Sequence, residues 1–252
     1  MVDSPWLYPA LFASGLVAGW IDSIAGGGGL VTIPVLLGFG LSPQMALGTN
    51  KFQASFGSFT AASYYVRKGV VDLPDARTGI VWTLFGSAAG TWAVQQIHPD
   101  FLNLLIPFLL IAIAVYMLVA PIPSEHDGRA RMGRGVFYLL FGFSLGFYDG
   151  FFGPGVGSFW AFALIAALGF NLTRATGYTK VMNFTSNIVS FLLFLIGGYV
   201  LVLPGVAMAA GQIIGARIGS GMVVRRGAKF IRPIFIAVVI LTTLKLLVQR
   251  FS

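Results

Sequence analysis

Long runs without a charged residue dominate the chain. They cover residues 23–50, 78–97, 101–124, 150–173 and 181–216. Each run is at least as long as the roughly 20 apolar residues that a helix needs to cross a bilayer. The runs are continuously apolar rather than alternating, which favours helices over a β-barrel. The pattern therefore predicts an all-α, polytopic membrane protein.

Composition excludes two other classes of protein. Hydrophobic residues make up 57% of the 252 residues and charged residues only 10%, against about 25% charged residues in soluble domains. A soluble enzyme could not hide so much apolar surface, and a disordered chain would be polar. The net charge of +8 fits cytoplasmic loops rich in Lys and Arg. Loops this short cannot form a nucleic-acid-binding face, so no nucleic acid is expected as a partner.

The two halves of the chain repeat one another. Residues 15–29 (GLVAGWIDSIAGGGG) align with residues 142–156 (GFSLGFYDGFFGPGV) at an offset of 127, which pairs Asp22 with Asp149. At an offset of 129, Lys51 pairs with Lys180. Glycine matches alone could arise by chance, but Asp and Lys are scarce in this chain. We therefore expect an internal duplication.

Each half has the same predicted plan. A hydrophobic stretch broken by Gly and Pro comes first, a long helix that opens with polar residues follows, and two further helices complete the half. The predicted elements are 6–39, 43–67, 76–96 and 101–120 in the first half, and 136–170, 172–198, 204–224 and 231–249 in the second. The predicted division is a first membrane repeat at 1–124, a basic cytoplasmic loop at 125–134 and a second membrane repeat at 135–252.

Basic residues predict how the two halves are oriented. They cluster at 67–77, 129–134 and 225–232. All three clusters share one side if each broken stretch is a hairpin that returns to its starting side. Each half then crosses the membrane an odd number of times, which gives two inverted-topology repeats, as in secondary transporters. If the broken stretch spans once, the repeats would be parallel and the clusters would fall on opposite sides, which the positive-inside rule disfavours.

The motif G-L-V-A-G-x-I-D-S-I-A-G-G-G-G-L-V-T-I-P (Gly15–Pro34), followed by A-L-G-T-N-K (Ala46–Lys51), resembles the sulfite exporter TauE/SafE family. That family comprises bacterial and plant permeases for sulfur-containing and organic anions, and the resemblance covers nearly the whole chain. The second copy departs from the pattern, because Pro154 stands where Gly27 stood and G-Y-T-K (Gly177–Lys180) replaces G-T-N-K (Gly48–Lys51). The resemblance implies anion transport more strongly than it implies sulfite.

Glycines at the two breaks form the first candidate site. Consecutive glycines disfavour a helix and expose backbone N–H groups, and a helix that starts near Leu30 adds its positive dipole end. Two such breaks that face each other near mid-membrane could bind an anion. The alternative is that the glycines only allow close helix packing. The candidate substrate-binding glycines are Gly26, Gly27, Gly28, Gly29, Gly153, Gly155 and Gly157.

Polar residues that open the long helices form the second candidate site. A lysine at membrane depth is a functional candidate by default, and uncharged donors suit an oxyanion. The alternative is that both lysines snorkel to an interface from near a helix end. Helical spacing also places Asn187 on the face of Asn183. The candidates are Thr49, Asn50, Lys51 and Gln53 in the first half, and Tyr178, Thr179, Lys180 and Asn183 in the second.

Two intramembrane carboxylates, Asp22 and Asp149, each precede a glycine break by four residues. A buried carboxylate can relay protons. The alternative is structural: the carboxylate pairs with a lysine or caps the N–H groups exposed at the break.

Together these features predict a secondary carrier for a small anion in the inner (plasma) membrane, with protons as a candidate coupling ion. An anion channel that uses the same site as a filter is the alternative. The chain has no cysteine and no H-E-x-x-H motif, which excludes Cys catalysis, thiolate metal sites and a zinc protease. A serine or aspartate mechanism stays open, but no enzyme activity, cofactor or metal is expected. Either a monomer or a homodimer is compatible with the sequence.

Overall fold

The computed structural model describes residues 6–119 and 126–226, and all regular structure in this part of the chain is helical. The helix predicted at 231–249 lies outside the described residues. The helices are α1 (Leu7–Ala25), α2 (Gly28–Gly38), α3 (Pro43–Arg67), α4 (Leu73–Gln95), α5 (Pro99–Val119), α6 (Arg134–Phe137), a π-helical turn (Tyr138–Gly142), α7 (Phe143–Phe151), α8 (Val156–Leu168), α9 (Leu172–Ile196) and α10 (Val202–Arg226).

The first broken stretch is a hairpin of α1 and α2. Gly26 and Gly27, here called the first break, have φ angles of +70° and +148°, a region that L side chains avoid. Helix α2 begins two residues before the predicted Leu30. Leu7 and Leu36 belong to one buried cluster, so the chain returns to the end from which it started.

The second broken stretch is also a hairpin. It runs from α6 through the π-helical turn and α7, breaks at residues 152–155 (the second break), and returns through α8. The loop that enters it hydrogen bonds to the loop that leaves it: Gly128 N–H donates to Gly169 O at 2.7 Å, and Arg131 N–H to Ala167 O at 2.8 Å. Nothing in the hydrophobic pattern indicated the π-helical turn.

Helices α3 and α9 are antiparallel partners. Near the start of α3, a Cβ on Gly48 would lie 2.1 Å from the carbonyl oxygen of Tyr199, just beyond the end of α9. Near the start of α9, a Cβ on Gly177 would lie 2.8 Å from Val71, just beyond the end of α3. The start of each long helix therefore lies beside the end of the other.

Glycines allow the first helix of each half to pack against the fourth helix of the other half. A Cβ on Gly19 of α1 would lie 2.5 Å from the carbonyl oxygen of Gln212 on α10. A Cβ on Gly90 of α4 would lie 2.0 Å from the carbonyl oxygen of Phe147 on α7. Backbones this close are typical of helix contacts in membranes, where small residues line the interface.

The described residues of the predicted basic clusters lie at one end of the bundle, here called the basic end. Arg134 forms an ion pair with Asp75 at the start of α4. Near the end of α10, the guanidinium of Arg217 stacks on the ring of Tyr64, 4.4 Å from its centroid, near the end of α3. The ends of α3 and α10 and the starts of α4 and α6 are therefore neighbours.

Three described helices are long and apolar enough to cross a membrane: Leu7–Ala25, Leu172–Ile196 and Val202–Arg225. Large apolar side chains such as Trp92 and Phe85 are more than half exposed, which suits contact with lipid. The polar residues of α3 point inward instead: Asn50, Lys51 and Gln53 are all buried. The helices thus present apolar surfaces outside and enclose a group of buried polar residues within a largely apolar interior.

The close helix contacts predict a specific stability effect. We expect Gly90→Ala to lower the free energy of unfolding by about 1–3 kcal/mol, the usual cost of overpacking, because its methyl group would overlap the backbone at Phe147. Gly38→Ala is the matched control, since a Cβ there meets nothing within 4 Å. Thermal unfolding of the purified protein in detergent measures both variants. Equal transition temperatures for the two variants would contradict this packing account.

Candidate functional site

The two glycine breaks meet in the middle of the bundle. A Cβ on Gly26 would lie 2.6 Å from the Cα of Gly157, and a Cβ on Gly29 would lie 3.1 Å from Pro154. The hydroxyl of Ser158 donates to the carbonyl oxygen of Ala25 at 3.0 Å. The expectation that the breaks face each other agrees with this geometry. No larger residue fits where the backbones cross.

A buried ion pair lies beside the second break. Lys51 Nζ on α3 is 2.5 Å from Asp149 Oδ1 on α7. The same ammonium group also donates to Asn187 Oδ1 on α9 at 3.2 Å. A Cβ on Gly153 would lie 3.0 Å from both Lys51 Nζ and Asp149 Oδ1, so this glycine leaves the space that the pair occupies.

A corresponding ion pair lies beside the first break. Lys180 Nζ on α9 is 2.9 Å from Asp22 Oδ2 on α1. Asp22 Oδ1 also accepts hydrogen bonds from the backbone N–H groups of Gly27 at 3.1 Å and Gly28 at 3.4 Å. This carboxylate therefore caps α2, which explains why the helix begins earlier than expected.

Each lysine pairs with the aspartate of the other half. Both lysine side chains are only 1% exposed, so the interpretation that they snorkel to an interface is wrong. The structural interpretation of the aspartates describes the observed geometry, because both pair with lysine and one also caps a helix. The two positive charges are thus balanced by two negative charges, as a low-dielectric interior requires.

Several buried polar atoms near the two pairs have no hydrogen-bond partner among the described residues. Folded proteins rarely leave such atoms unpaired, so each needs an explanation, such as a bound water or ligand. Asn183 lies beside the crossing of the breaks, since its Nδ2 would be 3.4 Å from a Cβ on Gly157. The unpaired atoms here are Gln53 Oε1, Asp149 Oδ2, Thr179 Oγ1, Asn183 Oδ1 and Ser186 Oγ.

Asn50 and Gln53 connect α3 to α2. The Oδ1 atom of Asn50 accepts hydrogen bonds from Thr32 Oγ1 at 2.6 Å and from Gln53 Nε2 at 2.9 Å. These contacts fix the amide of Gln53 and leave its Oε1 atom unpaired. Asn50 therefore positions Gln53, whose Oε1 atom is left as an acceptor without a partner among the described residues.

Two of the candidate residues lie away from the breaks. Thr49 Oγ1 accepts a hydrogen bond from Leu201 N–H at 3.0 Å, at the end of the bundle opposite the basic end. The hydroxyl of Tyr178 donates to Asp75 Oδ2 at 2.8 Å, at the basic end. Tyr178 also borders a cavity of about 470 Å³ that includes Arg174. The structure does not bring Thr49 and Tyr178 to the lysine–aspartate pairs.

Gly155 of the second break and Gly28, next to the first break, have different neighbours. A Cβ on Gly155 would lie 2.3 Å from Ile113 on α5, and a Cβ on Gly28 would lie 2.9 Å from the Cβ of Asp22. Side chains at these positions would disturb packing as well as any site. Substitutions of these glycines therefore cannot separate binding from folding.

Asn187, Thr32 and Ser186 contact or face residues of this site, but they were not among the candidate residues of the sequence analysis. Asn187 was detectable, since it follows Asn183 by one helical turn. Thr32 and Ser186 gave no signal, because hydroxyl residues are common in membrane helices. In the part of the chain that the structure describes, no three His, Cys, Asp or Glu side chains are grouped to hold a metal ion.

Comparison with known proteins gives a consistent result. The family model described as "Sulfite exporter TauE/SafE" matches residues 11–246. A "Probable membrane transporter protein" of Haemophilus influenzae is 46% identical over 244 residues, which cover 97% of this chain and 96% of that protein. "Probable membrane transporter protein YfcA" of Escherichia coli K12 is 47% identical over 244 residues, covering 97% and 91%.

A more distant relative has a more specific name. "Sulfite exporter TauE/SafE family protein 6" of Arabidopsis thaliana is 28% identical over 102 residues, which cover 40% of this chain and 24% of that protein. No solved structure matches the chain.

The buried pair predicts a large, partner-dependent stability effect. We expect Lys51→Met to lower the free energy of unfolding by about 3–5 kcal/mol, because it leaves the Asp149 carboxylate buried and unpaired. Adding Asp149→Asn should recover part of this loss. Unfolding in detergent measures both variants, with Asp100→Asn as the control, since its pair with His98 is largely exposed and contributes little. A double variant less stable than Lys51→Met alone would contradict the pairing.

Proposed function

Because the chain belongs to the sulfite exporter TauE/SafE family of membrane transporters, we propose that it is a secondary carrier for a small anion. Sulfite, another sulfur-containing anion or an organic anion is the substrate class. The observation that carries the proposal is the layer of buried polar groups where the two glycine breaks meet, in which the hydroxyl groups of Thr179 and Ser186 have no partner among the described residues. The anion binds in this layer, near the middle of the membrane.

The chemistry of the layer suits an oxyanion. Asn183 and the hydroxyl groups of Thr179 and Ser186 supply neutral hydrogen-bond donors, and all three residues are buried. The N-terminal turn of α8 adds the positive end of a helix dipole. Without an anion both buried lysine charges are balanced, so the site has no permanent excess of positive charge that would prevent release.

The contacts between the halves support a carrier built from inverted repeats. Helices α3 and α9 are antiparallel, and the Lys51–Asp149 pair in one direction corresponds to the Lys180–Asp22 pair in the other. Such repeats are typical of transporters that expose a central site alternately to each side. The basic end then faces the cytoplasm under the positive-inside rule, and the protein resides in the inner (plasma) membrane of the cell.

The direct test is transport by the purified protein in liposomes. Sulfite, sulfate, thiosulfate, sulfonates and carboxylates are tested one at a time. Each is added outside vesicles that contain its labelled form. We expect at least one anion outside to accelerate the exit of its labelled form, which indicates a carrier. Conductive, non-saturating flux without this acceleration would indicate an anion channel instead. No flux of any anion beyond that of empty liposomes would overturn the proposal.

Two neighbouring threonines allow a matched test of the binding layer. Thr179→Val removes an unpaired hydroxyl, whereas Thr176→Val removes one that donates to the backbone oxygen of Leu172. If the Thr179 hydroxyl donates to the anion, its loss costs about 1.5–3 kcal/mol, which weakens binding about tenfold to a hundredfold. The half-saturating substrate concentration measures this. Equal values for the two variants would remove Thr179 from the site.

A further inference from the structure

The two buried carboxylates occupy corresponding places in the repeat but have unequal surroundings. Asp22 accepts three hydrogen bonds: from Lys180 and from the N–H groups of Gly27 and Gly28. Asp149 accepts one from Lys51, and its second oxygen, Oδ2, has no partner among the described residues. Its side chain is 3% exposed, against 22% for Asp22. The less satisfied carboxylate is thus also the more deeply buried.

Pro154 is the sequence difference behind this inequality. At the offset that pairs Asp22 with Asp149, Gly27 corresponds to Pro154, and proline has no N–H to donate. The hydroxyl of Tyr148 donates to the carbonyl oxygen of Pro154 at 2.6 Å, which holds this turn in place. In the part of the chain that the structure describes, no backbone N–H donates to Asp149.

We propose that Asp149, and not Asp22, takes up and releases the proton that accompanies the anion, and that Pro154 creates this difference by withholding a hydrogen bond. The inference rests on the proposed function, because it assigns the coupling ion to one residue of the same site. Asp22 remains a permanent counter-ion for Lys180 and a permanent cap for α2.

Charge balance explains how the proton and the anion move together. With Asp149 ionised, Lys51 is neutralised and the layer has no net charge to offer an anion. A proton from water that binds Asp149 Oδ2 breaks this neutrality and frees the ammonium of Lys51 for an oxyanion. When the anion leaves, the proton returns to water and the ion pair forms again. For a monovalent anion, one negative and one positive charge cross together.

The neighbours of Asp149 are compatible with this exchange. Lys51 on α3 is the cation in direct contact, and Asp22 on α1 acts on it from a greater distance. From α9, Ser186 faces the carboxyl, yet Ser186 Oγ and Asp149 Oδ2 form no hydrogen bond of acceptable geometry. With a proton on Oδ2, the carboxyl could donate to Ser186 Oγ, which has no partner among the described residues.

The same exchange at Asp22 would cost more hydrogen bonds. Neutralising Asp22 would weaken its contacts with Lys180 and with two backbone N–H groups at the start of α2. Those N–H groups have no other acceptor among the described residues. Asp22 is therefore held in its ionised form by its structural role.

Infrared spectroscopy during a pH titration tests the inference without any substrate. We expect the purified protein to show the carbonyl band of a buried, protonated carboxyl group that grows as the pH falls. The band should be absent in Asp149→Asn and present in Asp22→Asn. Asp149→Glu, which keeps the titrating group if the amide variant folds poorly, should retain a shifted band. A band that survives in Asp149→Asn, or no band in the parent protein, would overturn the inference.

Pro154→Gly tests the cause of the inequality. It restores an N–H group at the position of Gly27, which stabilises the ionised carboxylate, so the band should titrate at a lower pH than in the parent protein. Pro99→Gly, at the exposed start of α5, is the control and should leave the titration unchanged. Identical titrations of the parent protein and Pro154→Gly would remove Pro154 from the account.

Transport assays separate this inference from the proposed function. With a tested anion that the parent protein carries, Asp149→Asn should retain exchange of labelled for unlabelled anion but lose acceleration by a pH gradient. Retained acceleration would refute the role of Asp149 while leaving the carrier proposal intact. If no anion is carried, the proposed function fails, and the infrared titration still decides which carboxylate binds a proton.

Discussion

The cost of burying two lysine charges in an apolar bundle is the constraint on which the rest of the structure depends. Lys51 and Lys180 are each 1% exposed, and an isolated charge at that depth would be prohibitive. Each charge is compensated by an aspartate from the other half. The two halves therefore cannot separate without leaving two cations and two carboxylates unpaired in the interior.

The glycine breaks follow from the same requirement. Asp22 and Asp149 reach the lysines only because α1 and α7 end inside the bundle, where Gly26 and Gly153 turn the chain with positive φ angles. The crossing of Gly26 and Gly157 then brings the polar atoms of both halves into one layer. Helix breaks, buried pairs and unpaired polar groups are thus parts of one arrangement, which is the site that we propose for the anion.

Local features were predictable and contacts between the halves were not. The predicted helix at 43–67 has the observed limits of α3, because Pro43 and the charged Arg67 mark its ends in the sequence. The repeat related Asp22 to Asp149, but it could not reveal that each carboxylate meets the lysine of the opposite half. Thr49 and Tyr178 were grouped with the lysines by proximity in sequence, whereas their helices, α3 and α9, direct them toward the loops at opposite ends of the bundle.

Nitrogen-15 NMR of the lysine side chains tests the central claim, that an anion binds where Lys51 meets Asp149. The chain has only five lysines, so substitution of each one assigns its signal. On addition of an anion that the protein transports, the account predicts a saturable shift of the Lys51 ammonium signal and little change at Lys180, whose aspartate remains fixed by the cap of α2. A saturable shift at Lys180 with none at Lys51 would contradict the account.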